Sequence, residues 1–113
     1  MTKGKVVLVP FPFDDLSSAK VRPAVCLTNP VGIYNHVILA FITSRVLAKK
    51  LKTDIVLDTS HPDFAASGLH KPSTLRLARL LTVRKSLIRR ELGELSSETQ
   101  KQIAEKLCDL LDE

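Results

Sequence analysis

The chain has 113 residues, of which 44% are hydrophobic and 26% charged, a composition typical of one soluble globular domain. Aromatic residues make up only 4% and tryptophan is absent, which disfavours an aromatic platform for stacking nucleic-acid bases. The longest uninterrupted apolar run, Val37–Ile42, is far shorter than the roughly 20 residues that a membrane-spanning helix needs. We therefore predict a single domain, residues 1–113, that is cytoplasmic and makes no membrane contact.

The charge distribution and the two cysteines indicate the kind of partner and the redox state of the protein. The net charge is +5, but residues 91–113 contain seven acids and two lysines, so residues 1–90 carry +10. A basic body of this kind favours a nucleic acid as partner, although a basic surface can also serve solubility alone. Cys26 and Cys108 lie in apolar contexts without metal-type spacing, which predicts reduced, buried thiols.

Apolar and β-branched runs predict five strands. In chain order they are Lys5–Val9, Arg22–Leu27, His36–Thr43, Thr53–Leu57 and Leu75–Val83. The third run, HVILAFIT, is typical of a central strand buried on both faces, and the fifth is predicted to bend near Ala78. A polar, proline-containing loop joins the first two strands, and a basic connection, Ser44–Lys52, follows the third. We predict a loop over Thr59–Gly68 and a short helical turn over Arg84–Arg90.

The last segment predicts an amphipathic helix. Ser97 followed by Gln100 has the capping-box pattern, and Ser96 is the alternative cap. Apolar residues recur at helical spacing on one face, namely Ile103, Ala104, Leu107, Leu110 and Leu111. Gly93 interrupts the chain just before this segment. Short strands followed by one helix predict a mainly β (α+β) fold, a small and strongly curved β-barrel or half-barrel with a C-terminal helix.

Arg22 is the strongest candidate for chemistry, since it stands where the chain re-enters the sheet after the polar loop. When RNA is cleaved by its own 2′-hydroxyl, negative charge develops on the phosphoryl oxygens, and a fixed guanidinium stabilises that charge. The hydroxyls of Thr43 and Ser44, at the end of the third strand, can donate to the same oxygens. The structural alternatives are an ion-paired surface arginine and a threonine that simply suits a strand.

Other groups are weaker candidates. His36, His61 and His70 lie at strand ends or in loops, and nothing in the sequence brings two of them together as an acid–base pair. Asp14 and Asp15 could help to hold a divalent ion, but neighbours on an extended loop point to opposite sides, which favours turn formation. No Walker loop, HExxH or GxSxG pattern is present, and we predict no cofactor and no metal.

Four pieces of the chain, in this order, resemble a known family. They are VVLVPFPF…VRPAVCL, AFITSR, GLHKPST and IRRELGEL. Together they resemble the MazF/PemK family of type II toxin–antitoxin ribonucleases over essentially the whole chain. The resemblance implies an SH3-like β-barrel with a C-terminal helix, usually a homodimer. It also implies metal-independent cleavage of single-stranded RNA, often mRNA, to 2′,3′-cyclic phosphate and 5′-hydroxyl ends, which inhibits translation and growth.

The resemblance also assigns residues and partners. The positions that match the family's catalytic arginine and threonine are Arg22 and Thr43. The predicted RNA contacts are Lys20, Ser44, Arg45, Arg76 and Arg79. The implied protein partner is a cognate antitoxin whose tail lies over the RNA groove, and operator DNA is a partner only within that complex.

The chain departs from the family pattern at two points. Some members have a histidine in the first loop, whereas Pro10–Val21 contains none. Some have an acid two residues after an arginine in the strand that matches Leu75–Val83, where Arg76 is followed at that spacing by Ala78. The sequence therefore names no general base. The competing hypotheses are a catalytically inactive barrel that binds nucleic acid or antitoxin, and a metal-dependent nuclease that uses Asp14 or Asp15.

Overall fold

The computed structural model describes residues 2–11 and 20–113, without the side chains of Phe11 and Lys20. The described strands are β1 (Lys5–Phe11), β2 (Lys20–Cys26), β3 (His36–Thr43), β4 (Asp54–Leu57), β5 (Ser73–Arg84) and β6 (Arg90–Glu94). A short helix α1 (Phe64–Ser67) lies between β4 and β5, and helix α2 (Ser97–Leu111) follows β6. The predicted Pro12–Phe13, Asp14–Asp15 and Ser17–Ser18 parts of the first loop lie outside the described residues.

The described strands form one antiparallel sheet in the order β4-β5-β3-β2-β1-β6. Both faces of this curled sheet bury apolar side chains. The helix-side core consists of Val6, Val25, Ala40, Ile42, Ile55, Leu57, Leu75, Leu77, Leu95 and Ile103. The second core consists of Val7, Val9, Ala24, Cys26, Val37, Leu39 and Val83. The predicted small barrel with a C-terminal helix is therefore confirmed.

Strand β3 has the bounds and the burial that its sequence predicts. Ala40 and Ile42 belong to the helix-side core, whereas Val37 and Leu39 belong to the second core. Because side chains alternate along a strand, a continuous apolar run is stable only where both faces are covered. The central position of β3, between β2 and β5, provides that cover.

The predicted bend of β5 near Ala78 is confirmed as a bulge. Ala40 pairs with Leu80, but the next residue of β3, Phe41, pairs with Arg76, so residues 77–79 of β5 have no single partner. A bulge of this kind bends a strand and redirects its side chains. The bulge brings Arg79 close to Phe41, the β3 residue that pairs with Arg76.

The prediction for residues 84–94 is wrong in one respect, because it missed strand β6. A 3-10 turn is present over Lys85–Leu87, but Arg90–Glu94 then pairs with β1 at the edge of the sheet. The segment RELGE is charged and contains a glycine, so local propensity opposes a strand. The strand is held instead by tertiary contacts, namely its pairing with β1 and an ion pair of 2.6 Å between Lys5 Nζ and Glu94 Oε1.

Helix α2 is confirmed, with a correction to its cap. Ser96 is the N-cap, and its hydroxyl accepts a hydrogen bond from the Thr99 backbone N–H at 3.3 Å. Ser97 is the first helical residue, and the side chain of Gln100 donates to the Leu95 carbonyl at 2.9 Å instead of closing a capping box. The alternative cap suggested by the sequence is therefore the right one.

The apolar face of α2 is only partly used within this chain. Ile103 is buried in the helix-side core and Leu107 packs against that core. Ala104 is exposed, and Leu111 is 81% exposed. The helix therefore docks through Ile103 and Leu107, while Leu111 in its last turn stays exposed.

The two thiols differ, which corrects the prediction that both are buried. Cys26 is buried in the second core, whereas Cys108 is exposed on α2, and both are free. Burial raises the pKa of the Cys26 thiol to about 11, with a smaller contribution from Glu91. Cys26 therefore stays protonated at neutral pH and is a core side chain, not a nucleophile.

The carboxylate of Asp63 fixes the start of α2. Its Oδ2 accepts hydrogen bonds of 2.9 Å from both the backbone N–H and the hydroxyl of Ser96. Burial by itself raises the pKa of Asp63, but hydrogen bonds from Thr99 and Ser96 outweigh it, and the pKa lies below its ordinary value. Because the folded-state pKa is lowered, this stabilisation is complete above the unfolded-state pKa and is lost as the pH falls through the folded-state value.

Replacing Asp63 by asparagine is expected to lower the free energy of unfolding at pH 7 by about 1.5–3 kcal/mol, the usual range for hydrogen bonds to a charged group. The difference from wild type is expected to begin to shrink at roughly pH 4, where the unfolded carboxyl takes up its proton, and to close as the pH falls through the lower folded-state pKa. Urea unfolding at several pH values measures it, with the exposed Asp109→Asn as control. An equal difference at pH 3 and pH 7 would contradict the assignment.

Candidate functional site

Arg22 and Thr43 lie on the neighbouring strands β2 and β3, each two residues beyond the last pair of their ladder. The last pair of the β2–β3 ladder is Ala24 with Phe41. Continuing the same register by two residues brings Arg22 opposite Thr43. Directly opposed residues of antiparallel strands have their side chains on the same face. Both residues are partly buried, at the edge of the second core. Strand pairing thus aligns the segments that carry these two residues, which are 21 positions apart in sequence.

Two further arginines lie on the same face. Arg76 pairs with Phe41, so it shares the face that carries Thr43 two residues further along β3. The guanidinium carbon of Arg79 lies 5.8 Å from the centre of the Phe41 ring, within the range of a cation–π contact. We call the set Arg22, Phe41, Thr43, Arg76 and Arg79 the arginine face. Sequence reasoning named its four polar members but not Phe41.

An acid from the neighbouring strand lies beside Arg76. Asp54, the first residue of β4, pairs with Arg76, and its Oδ1 is 3.5 Å from Arg76 Nε. The Asp54 side chain is 0% exposed, whereas that of Arg76 is 25% exposed. Sequence reasoning missed this pair, because only the β4–β5 register brings the two residues together.

The other predicted RNA contacts are placed differently. Lys20 is the first residue of β2, and its side chain lies outside the described part of the structure. Ser44 is exposed and lines a separate cleft of about 300 Å³ with Leu8, Pro23, Gly68, Leu69, His70, Lys71, Ser73 and Leu92. Arg45 is exposed, and its carbonyl accepts a hydrogen bond of 2.8 Å from the hydroxyl of Thr74, the β5 partner of Thr43. Arg45 therefore borders the arginine face, while Ser44 turns away from it.

The three histidines lie in three different environments. His36 begins β3, with its ring 6.1 Å from that of Tyr34. His61 lines a cleft of about 490 Å³, and its Nδ1 accepts a hydrogen bond of 3.0 Å from the Asp63 backbone N–H. His70 lines the cleft that contains Ser44. Among the described residues, His61 and His70 thus line different clefts, and His36 lies beside Tyr34.

The described residues contain no group of three or more His, Cys, Asp or Glu side chains that could hold a metal ion. Asp14 and Asp15, the acids considered for that role, lie outside the described residues. Within residues 2–11 and 20–113, no helix has the length and apolar character to cross a membrane.

The chemistry of the arginine face follows from its side chains. A guanidinium group is charged at every physiological pH and donates hydrogen bonds in a planar fork that matches a phosphate. Three such groups and a threonine hydroxyl, mounted on three adjacent strands, present donors and positive charge to one region of the surface. Such a surface fits an anion with several oxygens better than an apolar or a cationic ligand.

The architecture, a curled antiparallel sheet with a C-terminal helix, is a MazF-like fold. Residues 2–111 match the sequence model of the family described as PemK-like, MazF-like toxin of type II toxin–antitoxin system. The protein belongs to this family, which confirms the resemblance predicted from the four sequence pieces. A search among curated proteins gave no match.

Solved structures share the fold. The Mycobacterium tuberculosis toxin MazF-mt6 superposes with a TM-score of 0.71 at 23% sequence identity, over 96% of each chain. An endoribonuclease in complex with its cognate antitoxin, from a mycobacterial species, superposes with a TM-score of 0.70 at 16% identity, over 99% of this chain and 95% of that one. At these identities the superposition establishes a common fold, and the activity of this chain is argued from its own residues.

Proposed function

We propose that the protein is the toxin of a type II toxin–antitoxin system and acts as a metal-independent endoribonuclease on single-stranded RNA. The observation that supports the proposal is the β2–β3 register, in which Ala24 pairs with Phe41; continued by two residues it would bring Arg22 opposite Thr43, on the face where Arg76 pairs with Phe41 and Arg79 lies over its ring. Cleavage of mRNA at short sequences would inhibit translation and growth. In this proposal residues 1–113 form a single domain.

The proposed reaction is an internal transesterification. The 2′-oxygen of the nucleotide before the scissile bond attacks phosphorus and gives its proton to solvent water, while the bond from phosphorus to the 5′-oxygen breaks. The products are a 2′,3′-cyclic phosphate and a 5′-hydroxyl, whose oxygen takes up a proton. Arg22 stabilises the charge on the phosphoryl oxygens and donates a proton or hydrogen bond, since a guanidinium is a poor base. The hydroxyl of Thr43 donates to the same oxygens.

The remaining predicted residues extend the site along the RNA. Arg76 and Arg79 are proposed to bind neighbouring phosphates, and Arg45 and Lys20 to lie along the same path. Ser44 is retained as a predicted RNA contact, although it lines another cleft. The proposed partners are a cognate antitoxin with an acidic tail and a second copy of the chain, in the cytoplasm, with operator DNA bound only in the antitoxin complex. A solved structure of similar fold is described as an endoribonuclease in complex with its cognate antitoxin, which supports this partner.

The decisive experiment is a cleavage assay in the presence of excess chelator. Purified protein is incubated with a long single-stranded RNA and with the 2′-deoxy oligonucleotide of the same sequence. The proposal predicts cleavage of the RNA alone, with 2′,3′-cyclic phosphate and 5′-hydroxyl ends. Cleavage that needs added Mg²⁺ would favour the metal-dependent hypothesis with Asp14 or Asp15, and no cleavage under either condition would overturn the proposal.

A binding module without catalysis is the second candidate function. Two features favour it, namely the absence of histidine from Pro10–Val21 and the presence of Ala78 where some family members have an acid. Retarded migration of the RNA without any cleavage, or binding of the antitoxin alone, would support this candidate. The same samples serve for both measurements.

Replacing Thr43 by valine keeps the β-branched shape but removes the hydroxyl donor. We expect kcat for RNA cleavage to fall about 100-fold, the usual effect of removing one donor to a developing oxyanion. Single-turnover kinetics with saturating protein measure the step. Thr82→Val is the matched control, because Thr82 is exposed and pairs with Ile38, away from the arginine face. An unchanged rate in Thr43→Val would assign this residue a structural role only.

A further inference from the structure

We infer that Asp54 is a positioning residue that holds the guanidinium of Arg76 on the arginine face. The inference rests on the proposed function, in which Arg76 binds a phosphate of the RNA. The geometry of the Asp54–Arg76 pair itself does not depend on any activity. Asp54 thus occupies, from the neighbouring strand, a place beside this arginine that Ala78 of its own strand cannot fill.

The geometry of the pair is asymmetric. Asp54 approaches Arg76 through Nε, at 3.5 Å from Oδ1, and both atoms are buried. Neither atom makes a hydrogen bond, so the contact is electrostatic at this distance. The terminal nitrogens Nη1 and Nη2 lie at the other end of the guanidinium group, on a side chain that keeps 25% exposure. The acid is therefore placed to fix the stem side of the guanidinium, while its outer fork can meet a phosphate.

The carboxylate is held in place before any ligand arrives. Its second oxygen, Oδ2, accepts a hydrogen bond of 2.9 Å from the Leu51 backbone N–H. The Asp54 backbone N–H in turn donates to the Leu51 carbonyl at 3.0 Å. This reciprocal pair closes the chain just before β4 and fixes the orientation of the carboxylate. A preorganised anion can hold an arginine in one orientation at little further cost.

Burial excludes a direct catalytic role for Asp54. With a side chain that is 0% exposed, it cannot reach a 2′-hydroxyl or a leaving oxygen, so it is not the missing general base. Burial equally argues against a bystander role, because a buried carboxylate is costly unless a positive charge stands beside it. Arg76 supplies this positive charge, since its Nε lies 3.5 Å from Asp54 Oδ1.

The first test observes Arg76 directly and requires no activity. In ¹⁵N-labelled full-length protein, the Nε–H signal of Arg76 is assigned by its loss in Arg76→Lys. In wild type we expect slow exchange of this proton with water, because Nε is buried. In Asp54→Asn, which can keep the acceptor for Leu51, we expect exchange at least about tenfold faster, as the anion that retains the guanidinium is gone. Asp58→Asn, at the other end of the same segment, is the control.

The second test is a double-mutant cycle on RNA cleavage. We expect Asp54→Asn to lower kcat/KM about 10–100-fold through misplacement of Arg76, and to lower it less than about twofold in an Arg76→Ala background. Asp54→Glu, which restores the charge, is expected to recover part of the loss. Thermal unfolding of every variant checks that it is folded, and Asp54→Ser replaces the asparagine variant if the latter does not fold.

The outcomes separate the two claims. If wild type cleaves RNA but Asp54→Asn leaves the Arg76 exchange rate unchanged, or lowers kcat/KM equally in both backgrounds, the positioning role is wrong. If wild type does not cleave RNA, the proposed function fails, and the exchange measurement alone decides whether Asp54 holds Arg76. Faster exchange together with non-additive kinetics supports both.

Discussion

Replacing Arg22 by alanine is expected to lower kcat/KM for RNA cleavage by at least about 1,000-fold, at the upper end of the range for removal of one preorganised donor. The reason is that, in the proposed mechanism, the Arg22 guanidinium stabilises the phosphoryl oxygens as they become more negative. Because Arg22 is only partly buried at the edge of the second core, the alanine variant is expected to fold. Cleavage rates are measured in chelator, with circular dichroism of both proteins.

Two control variants show whether the loss in Arg22→Ala is specific to this guanidinium. Arg22→Lys keeps the charge but loses the planar fork, and we expect it to recover only a small part of the activity. Arg90→Ala removes the same charge from an exposed position on the other face of the sheet. Arg90 pairs with Leu8, which shares a face of β1 with Val6 of the helix-side core. It is expected to retain nearly full activity. Equal losses in Arg22→Ala and Arg90→Ala would show that only the overall charge matters, and would remove Arg22 from the catalytic role.

Replacing Gly93 by alanine is expected to cause a large loss of stability. A Cβ at this position would clash with the carbonyl oxygen of Ala66 and the backbone of Ser67, so α1 and β6 could no longer pack as closely as they do. Backbone atoms cannot move aside as a flexible side chain can, and we expect a loss of about 3 kcal/mol, the upper part of the range for overpacking. On a domain of this size that corresponds to a fall in Tm of roughly 10 °C or more.

Gly32 is the natural control for this effect. It has a φ of +77° but nothing within 4 Å of a Cβ, so alanine there meets backbone strain without a steric clash. We expect Gly32→Ala to cost about 1–2 kcal/mol. Thermal unfolding compares the two, and hydrogen exchange of the β1–β6 ladder shows whether β6 separates first in Gly93→Ala. A smaller loss for Gly93→Ala than for Gly32→Ala would mean that α1 can move away from β6.

The strength of the local signal explains which elements the sequence predicts. HVILAFIT predicts β3 with its observed bounds, because a continuous β-branched and aliphatic run has few other stable arrangements. Helix α2 is equally clear, since apolar residues recur at helical spacing after a serine cap. Strand β6 is missed because RELGE has no strand propensity, and its place at the sheet edge depends on close contact with α1 through Gly93. Pairing partners, not local preference, hold this segment extended.

The sequence by itself determined the class of fold, the basic character of the chain and the identities of Arg22 and Thr43 as candidates. These conclusions depend on composition, hydrophobic periodicity and short motifs, which are local properties. Only the tertiary structure decided that Ala24 pairs with Phe41, that Arg79 lies over the Phe41 ring and that Asp54 lies beside Arg76. The physical reason is that the face of a strand follows from its own alternation, whereas its partner residue follows from register, which is set jointly by several strands and by the bulge in β5.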